Sequence, residues 1–253
     1  MNKIGNIEIN NYIDDLIVID VPNSKEFIKN INMMEMNSES PSIVINDKYF
    51  YLKDSYFFDT LTKMSDLYEF SVKNQLVKTL INDSNWNTNN ILKIENLEFI
   101  KNSINGFVGD ELLNINVDFS KIYKYIFTID GNKFANKNKI INWLKNELNS
   151  TTKLVIIDNI PNISIRELYE LTPKYKFIIL TNNIFNHCEK FEDLELCGFL
   201  FKDEIKNITS NDIFVQWIKK LYPSLKEFNE QEIIKHFKND IFSYFELKKH
   251  FFL

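Results

Sequence analysis

The clearest pattern lies in the second half of the chain, where continuous apolar runs alternate with segments whose apolar residues recur at helical spacing. The apolar runs predict strands over residues 121–130, 152–158 and 175–181, and the periodic segments predict helices over 139–149 and 164–171. Strands separated by single helices and short connections are typical of a parallel sheet with right-handed crossovers. This part of the chain is therefore predicted to form a parallel α/β structure.

The first half shows a mixed pattern. The run LIVIDV at 16–21 predicts a buried strand, and Ser24 is placed to cap a short helix that follows it. A hairpin is predicted about a turn at Asn46-Asp47, because both residue types tolerate the backbone of a tight turn. Residues 55–104 are predicted to be mostly helical, with an asparagine-rich break.

After Phe201 the pattern predicts helices only, the first of them capped by Ser210 or Asn211. The predicted fold class is α/β, a three-layer parallel-sheet domain with a C-terminal helical appendage, preceded by a mixed α/β N-terminal domain. Turn signals and composition shifts place these three domains at residues 1–110, 111–205 and 206–253.

Composition narrows the classes of protein. The chain has 253 residues, of which 44% are hydrophobic, so it can bury a substantial core and should be globular. It has no apolar run long enough for a membrane span and no apolar stretch near its start, so we expect an intracellular, cytoplasmic protein without membrane contact. Cys188 and Cys197 are too few for a disulfide framework and are predicted to be small buried or half-buried residues.

Charge sets limits on partners. The net charge of −5 argues against a protein coated in positive charge, although it leaves room for a local basic face. Arg166 is the only arginine in the chain, so any role that needs a bidentate guanidinium falls to that residue or to another subunit.

Polar residues follow each predicted strand of the second half. They are Asp130-Gly131, Asp158-Asn159 and Thr181-Asn182-Asn183. Because functional groups of a parallel sheet collect at the carboxyl ends of its strands, these residues are the candidates for a site.

The order of these residues resembles P-loop ATPases of the AAA+ group and, more closely, superfamily 3 helicases of small viruses and plasmids, over about residues 122–185. GNKFANKN at 131–138 lines up with the Walker A loop through Gly131, Lys137 and Asn138. The resemblance implies ATP and Mg²⁺ as cofactors, with Lys137 near the β- and γ-phosphates and Asp158 holding the metal. It also implies that Asn182 or Asn183 orients the attacking water.

Three positions depart from that family. Asn136 stands where the second glycine belongs, Asn138 replaces the serine or threonine that binds Mg²⁺, and Asn159 replaces a second acid. The implied function is therefore that of a degenerate P-loop protein of a virus or mobile element, acting in replication or nucleic-acid handling with weak or absent ATP hydrolysis.

Other interpretations stay open at this stage. The strand-end Asp and Asn residues are also typical of ordinary turns and helix caps. The chain could be a non-enzymatic assembly or adaptor protein that binds a protein partner or another copy of itself, or a nucleic-acid binder without nucleotide chemistry.

Overall fold

The structure is a computed structural model that describes residues 2–9, 15–68, 93–147 and 151–252. The strands are β1 (Asn2–Ile4), β2 (Ile7–Ile9), β3 (Leu16–Asp20), β4 (Ile43–Ile45), β5 (Lys48–Phe50), β6 (Tyr56–Asp59), β7 (Lys153–Asp158), β8 (Tyr175–Thr181), β9 (Cys197–Phe201) and β10 (Glu204–Asn207). The α-helices are α1 (Ser24–Ser38), α2 (Met64–Leu67), α3 (Ile94–Val108), α4 (Phe119–Ile126), α5 (Lys137–Asn146), α6 (Ile165–Tyr169), α7 (Asn211–Leu221), α8 (Glu230–Asn239) and α9 (Ile241–Phe252).

The main sheet has six strands in the order β10-β9-β3-β8-β7-β6. All neighbours run parallel except β9 and β10, which form an antiparallel hairpin at one edge. Every residue of β3 and β8 is buried, which explains their continuous apolar sequences, because a parallel strand covered on both faces shows no alternation. The predicted α/β class with a mostly parallel sheet is confirmed.

A second, antiparallel sheet has the order β2-β1-β4-β5. Its β4–β5 hairpin turns at Asn46 and Asp47, which have φ angles of 49° and 60°. Two consecutive residues with positive φ fit the right-handed twist of paired strands, and Asn and Asp are among the residues that tolerate this conformation. The predicted hairpin is confirmed.

The described residues group into two compact units. The first unit comprises those within 1–61, 135–145 and 149–253, and it contains both sheets. The second unit comprises those within 62–134 and 146–148 and contains α2, α3 and α4. The predicted domain boundary near residue 110 falls inside the second unit, and β3 and β6 from the first 61 residues share a sheet with β7 and β8.

Helix starts follow local sequence. Asn23 caps α1 by accepting the Glu26 N–H at 3.2 Å, so the cap lies one residue before the predicted Ser24. Ser210 caps α7 as predicted, its side chain accepting the Ile213 N–H. The strands predicted around 16–21, 152–158 and 175–181 are confirmed to within a residue.

One prediction with consequences for the site is wrong. Residues 121–130 are not a strand, because Phe119–Ile126 form α4 and the residues after it have no regular structure. Asp118 accepts the Lys121 N–H at 3.3 Å, which starts a helix. Phe119, Ile122 and Ile126 then recur at helical spacing, a pattern that the β-branched composition concealed. A helix and then the irregular residues 127–130 therefore precede Gly131, and the predicted strand–loop–helix arrangement is absent there.

Three smaller predictions also differ. β6 is a strand inside the segment predicted to be helical, and β10 is a strand after Phe201 where only helices were expected. The C-terminal helical pattern is divided into α8 and α9 at Asp240, whose carboxylate accepts the Phe242 and Ser243 amides. The predicted helix and asparagine-rich break over residues 69–92 lie outside the described residues.

None of the helices in the described residues combines the length and the apolar character that crossing a membrane requires.

Candidate functional site at the strand ends

The carboxyl ends of β3, β8 and β7 meet at one edge of the main sheet. Asp20 pairs in register with Thr181, and Asp158 pairs with Leu180. After β3 the chain next enters this sheet at β6, and after β8 it next enters it at β9, so the connections from these two neighbouring strands run in opposite directions along the sheet. In open α/β sheets such a switch point is where ligands bind, which makes this edge the candidate site.

Asp158 and Asn159 end β7, and Asn159 has a left-handed φ of 51°. The Asn159 Nδ2 group donates to the Asp158 carboxylate at 2.7 Å and to the Ser24 hydroxyl at 3.3 Å. The Asn182 N–H donates to Asn159 Oδ1 at 3.0 Å, which fixes the orientation of the amide. A neutral NH₂ group therefore lies between a hydroxyl and a buried carboxylate.

Asn182 and Asn183 follow β8 but differ in exposure. Asn182 is exposed, while Asn183 is buried. Asn183 Oδ1 accepts the Phe185 N–H at 3.0 Å, and its Nδ2 donates to the Phe237 carbonyl at 2.8 Å. Both ends of the Asn183 amide are thus engaged in the fold rather than presented to a water molecule.

Asp20 is a site residue that sequence reasoning missed. It is 1% exposed, accepts the Tyr244 hydroxyl at 2.6 Å and forms an ion pair with Lys248. Burial raises the pKa of Asp20, and the Lys248 ammonium offsets part of that rise. The only sequence signal was an acid at the end of a buried strand, since both partners lie more than 220 residues away on α9.

Tyr244 is the second anchor of α9 at this edge. Its hydroxyl accepts the Ile184 N–H at 3.1 Å while donating to Asp20. Burial and the neighbouring Asp20 carboxylate raise the pKa of Tyr244 well above its usual value, so it stays a neutral donor. Together with the contact of Asn183 with Phe237, these bonds hold α8 and α9 against the ends of β3 and β8.

Lys137 begins α5, and its ammonium pairs with Glu167 at 3.3 Å. Its neighbour Asn138 is exposed at the second position of the helix. Asn136 does not have positive φ; its side chain accepts the Lys139 N–H at 3.1 Å as a cap. The helix start is therefore satisfied by its own residues.

Gly131 belongs to the second unit, whereas Lys137 belongs to the first. Gly131 does not have positive φ, so its backbone makes no use of the freedom of glycine. The preceding Asp130 accepts the Asn132 N–H at 3.0 Å, and its carbonyl accepts the Lys133 N–H at 3.3 Å. These are the bonds of an ordinary Asx turn.

Asp158 and Lys137, the residues expected to hold Mg²⁺ and phosphate, both have partners within the fold. Within the described ranges, no three His, Cys, Asp or Glu side chains are close enough to hold a metal ion. The Asp158 carboxylate is bonded to Asn159, and the Lys137 ammonium is paired with Glu167. Asp20 and Asn183 instead join the ends of β3 and β8 to α9 and α8.

His187 and the two cysteines are structural. His187 is buried and donates Nδ1–H to the Ile163 carbonyl at 2.8 Å; burial lowers its pKa to about 4. Cys188 and Cys197 are free and buried, as predicted, with their sulfur atoms 3.8 Å apart.

Comparison with known proteins gives a likeness of fold. No family model matches the sequence, and no curated protein matches it. The crystal structure of Stu0660 of Streptococcus thermophilus is similar with a TM-score of 0.54 and 15% sequence identity. The similarity covers 87% of this chain and 78% of Stu0660.

Proposed function

We propose that this chain is an α/β protein without a working P-loop, which does not hydrolyse ATP and acts in nucleic-acid handling by binding alone. The observation that carries the proposal is the contact of α9 with the switch point. There Tyr244 donates a hydrogen bond to the Asp20 carboxylate, and Lys248 forms an ion pair with it. A ligand approaching the ends of β3 and β8 there would have to displace an ion pair and a buried hydroxyl. Such a displacement leaves a buried carboxylate uncompensated, which is costly.

Two further contacts support the absence of hydrolysis. Phosphoryl transfer needs a cation that neutralises the γ-phosphate and a metal held by hard oxygen ligands. The Lys137 ammonium is already paired with Glu167, and the Asn159 amide lies between Ser24 and Asp158. Nucleotide chemistry would require both of these contacts to break.

Binding of a nucleic-acid backbone is supported by α5. Its buried face carries Ile140, Trp143 and Leu144, while Lys139 and Lys145 are exposed and have no ion pair in the described part of the chain. Exposed, unpaired ammonium groups are those that can replace counterions along a phosphate backbone.

The first test is binding and hydrolysis of ATP. A fluorescent ATP analogue is titrated with and without Mg²⁺ against the natural protein, Lys137→Ala and the matched control Lys139→Ala. The control keeps the ion pair of Lys137 with Glu167. We expect no Mg²⁺-dependent binding and no hydrolysis above background in any of the three. Mg²⁺-dependent binding that is lost in Lys137→Ala alone would overturn the proposal and establish the nucleotide site.

The second test is DNA binding at several salt concentrations. If lysines contact the backbone, the logarithm of the affinity should fall linearly with the logarithm of salt, and Lys139→Ala with Lys145→Ala should reduce both affinity and slope. Absence of binding at low salt would leave the protein without a nucleic-acid role.

A second function, that of an assembly or adaptor protein, is favoured by exposed apolar side chains. Phe99 and Phe107 on α3 are 73% and 94% exposed, and Tyr125 on α4 is 89% exposed. Apolar groups in such numbers are typical of contact surfaces. If this function is correct, Phe99→Ser with Phe107→Ser should abolish self-association or partner binding, measured by light scattering, without changing DNA affinity.

A further inference from the structure

A cavity of about 480 Å³ lies in the first unit, and neither Asp20 nor Lys248 lines it. Three segments line it: residues 4–7 at the β1–β2 turn, the β3–α1 loop with α1 as far as Met34, and residues 200–203 at the β9–β10 turn. Its volume is in the range of small-molecule sites. No step of the proposed function uses it.

The floor of the cavity is apolar. It is made by Ile4, Val21, Phe27 and Ile31, all of which are buried within the protein. Gly5 approaches this floor with a φ of 61°, and a Cβ atom there would lie 3.3 Å from Met34 Sδ. A surface of this kind favours the flat or aliphatic body of an organic molecule and disfavours a bare ion or a sugar.

The rim is polar and carries more negative than positive charge. Glu26 and Asp203 are exposed carboxylates on opposite segments, and Lys202 is the one ammonium among the lining residues. The Lys202 ammonium lies over the Phe201 ring at 5.3 Å, which satisfies part of its charge. The rim therefore presents two carboxylates and one ammonium group that already contacts an aromatic ring.

An anion is the less suitable ligand, although the cavity borders the start of α1. The Glu26 carboxylate lies in the first turn of that helix, where it complements the helix dipole. Asn23 also accepts the Glu26 N–H and donates to the Glu26 carboxylate, so the helix start has internal partners. A phosphate there would meet a carboxylate instead of free amides.

We propose that this cavity binds a small organic cation, an amine whose aromatic or aliphatic body rests on Phe27 and Ile31 while its ammonium group meets Glu26 and Asp203. Burial of the apolar body supplies affinity, and the carboxylates favour a ligand with a positive charge.

The test uses three probes that share one body and differ in charge: tryptamine, 3-ethylindole and indole-3-propionate. Chemical-shift titration of the ¹⁵N-labelled full chain gives each dissociation constant, and shifts at Gly5 and Ile31 locate the site. We expect tryptamine to bind most tightly, 3-ethylindole less tightly and indole-3-propionate least tightly. Glu26→Gln with Asp203→Asn should weaken tryptamine about tenfold and leave 3-ethylindole unchanged.

Two variants serve as comparisons. Asp212→Asn with Glu227→Gln makes the same charge change at exposed positions outside the cavity lining, and it should leave all three constants unchanged. Asn30→Trp places a large side chain at the exposed rim and should block every probe without disturbing the core. Equal affinity for the three probes, preference for the anion, or no shift at Gly5 and Ile31 at millimolar probe would overturn the proposal.

Discussion

His187 makes the stability of the fold depend on pH. Its folded-state pKa of about 4 lies below the ordinary value of 6.5, because burial disfavours the imidazolium. The unfolded chain therefore binds a proton at a higher pH than the folded chain does. The contribution of neutral His187 is complete above pH 6.5 and is lost as pH falls from 6.5 towards 4.

We predict that between pH 7.5 and pH 5 the natural protein loses about 2 kcal/mol more unfolding free energy than His187→Gln does. Urea denaturation at both pH values measures this difference. The glutamine variant is less stable at pH 7.5, but it keeps every carboxylate and lacks only the imidazole. The difference between the two proteins therefore reports the contribution of His187 alone. Parallel loss of stability in the two proteins would contradict the assignment.

At the scale of elements, the β9–β10 hairpin needs a glycine on β9. A Cβ at Gly198 would lie 2.6 Å from Asn207 Oδ1 and 2.8 Å from Ile205 Cγ2, both on the paired strand β10. We expect Gly198→Ala to cost about 2 kcal/mol, because the buried Ile205 has to shift. Gly131→Ala is the matched control, since a Cβ there would meet no atom within 4 Å beyond its two chain neighbours. Thermal denaturation that ranks the two variants equally would refute this.

The contact of α9 with β3 is the second element-scale prediction. Lys248→Met leaves the buried Asp20 carboxylate without its counter-ion, and we expect a loss of about 3 kcal/mol in unfolding free energy. Asp20→Asn combined with Lys248→Met should recover most of it, because the charge is then gone. Lys249→Met, which removes an exposed pair with Glu246 and an exposed contact with the Phe245 ring, should cost about 0.5 kcal/mol or less. Additive losses in the double variant would show that the two residues are not coupled.

At the scale of the whole molecule, both sheets lie in the first unit, and in the described residues neither takes a strand from the second. We therefore predict that the first unit folds when residues 62–134 are replaced by a flexible Gly-Ser linker of about twelve residues. Calorimetry should show one cooperative transition, and near-ultraviolet dichroism should keep the signal of packed Trp143 and Tyr175. A broad transition without that signal would mean that the first unit depends on the second.

The sequence by itself determined those elements whose signals are local. β3, β7 and β8 are continuous apolar runs because they are covered on both faces, and the Asn46-Asp47 turn and the Ser210 cap use residue types that fit their backbone. Helix α4 differs from the predicted strand because its β-branched residues suit a strand while their spacing suits a helix.

Only the tertiary structure decided what the strand-end residues do. The sequence predicts Asp158 as a site residue, and its partner Asn159 is the next residue along the chain. Asn159 also donates to the Ser24 hydroxyl, which lies 135 residues away in the sequence. Asp20 accepts a hydrogen bond from Tyr244 and forms an ion pair with Lys248, and both partners lie on the last helix. Burial, ion pairing and hydrogen bonding depend on groups that meet only in the folded chain, so a sequence pattern can place an acid at a strand end without showing which partner satisfies it.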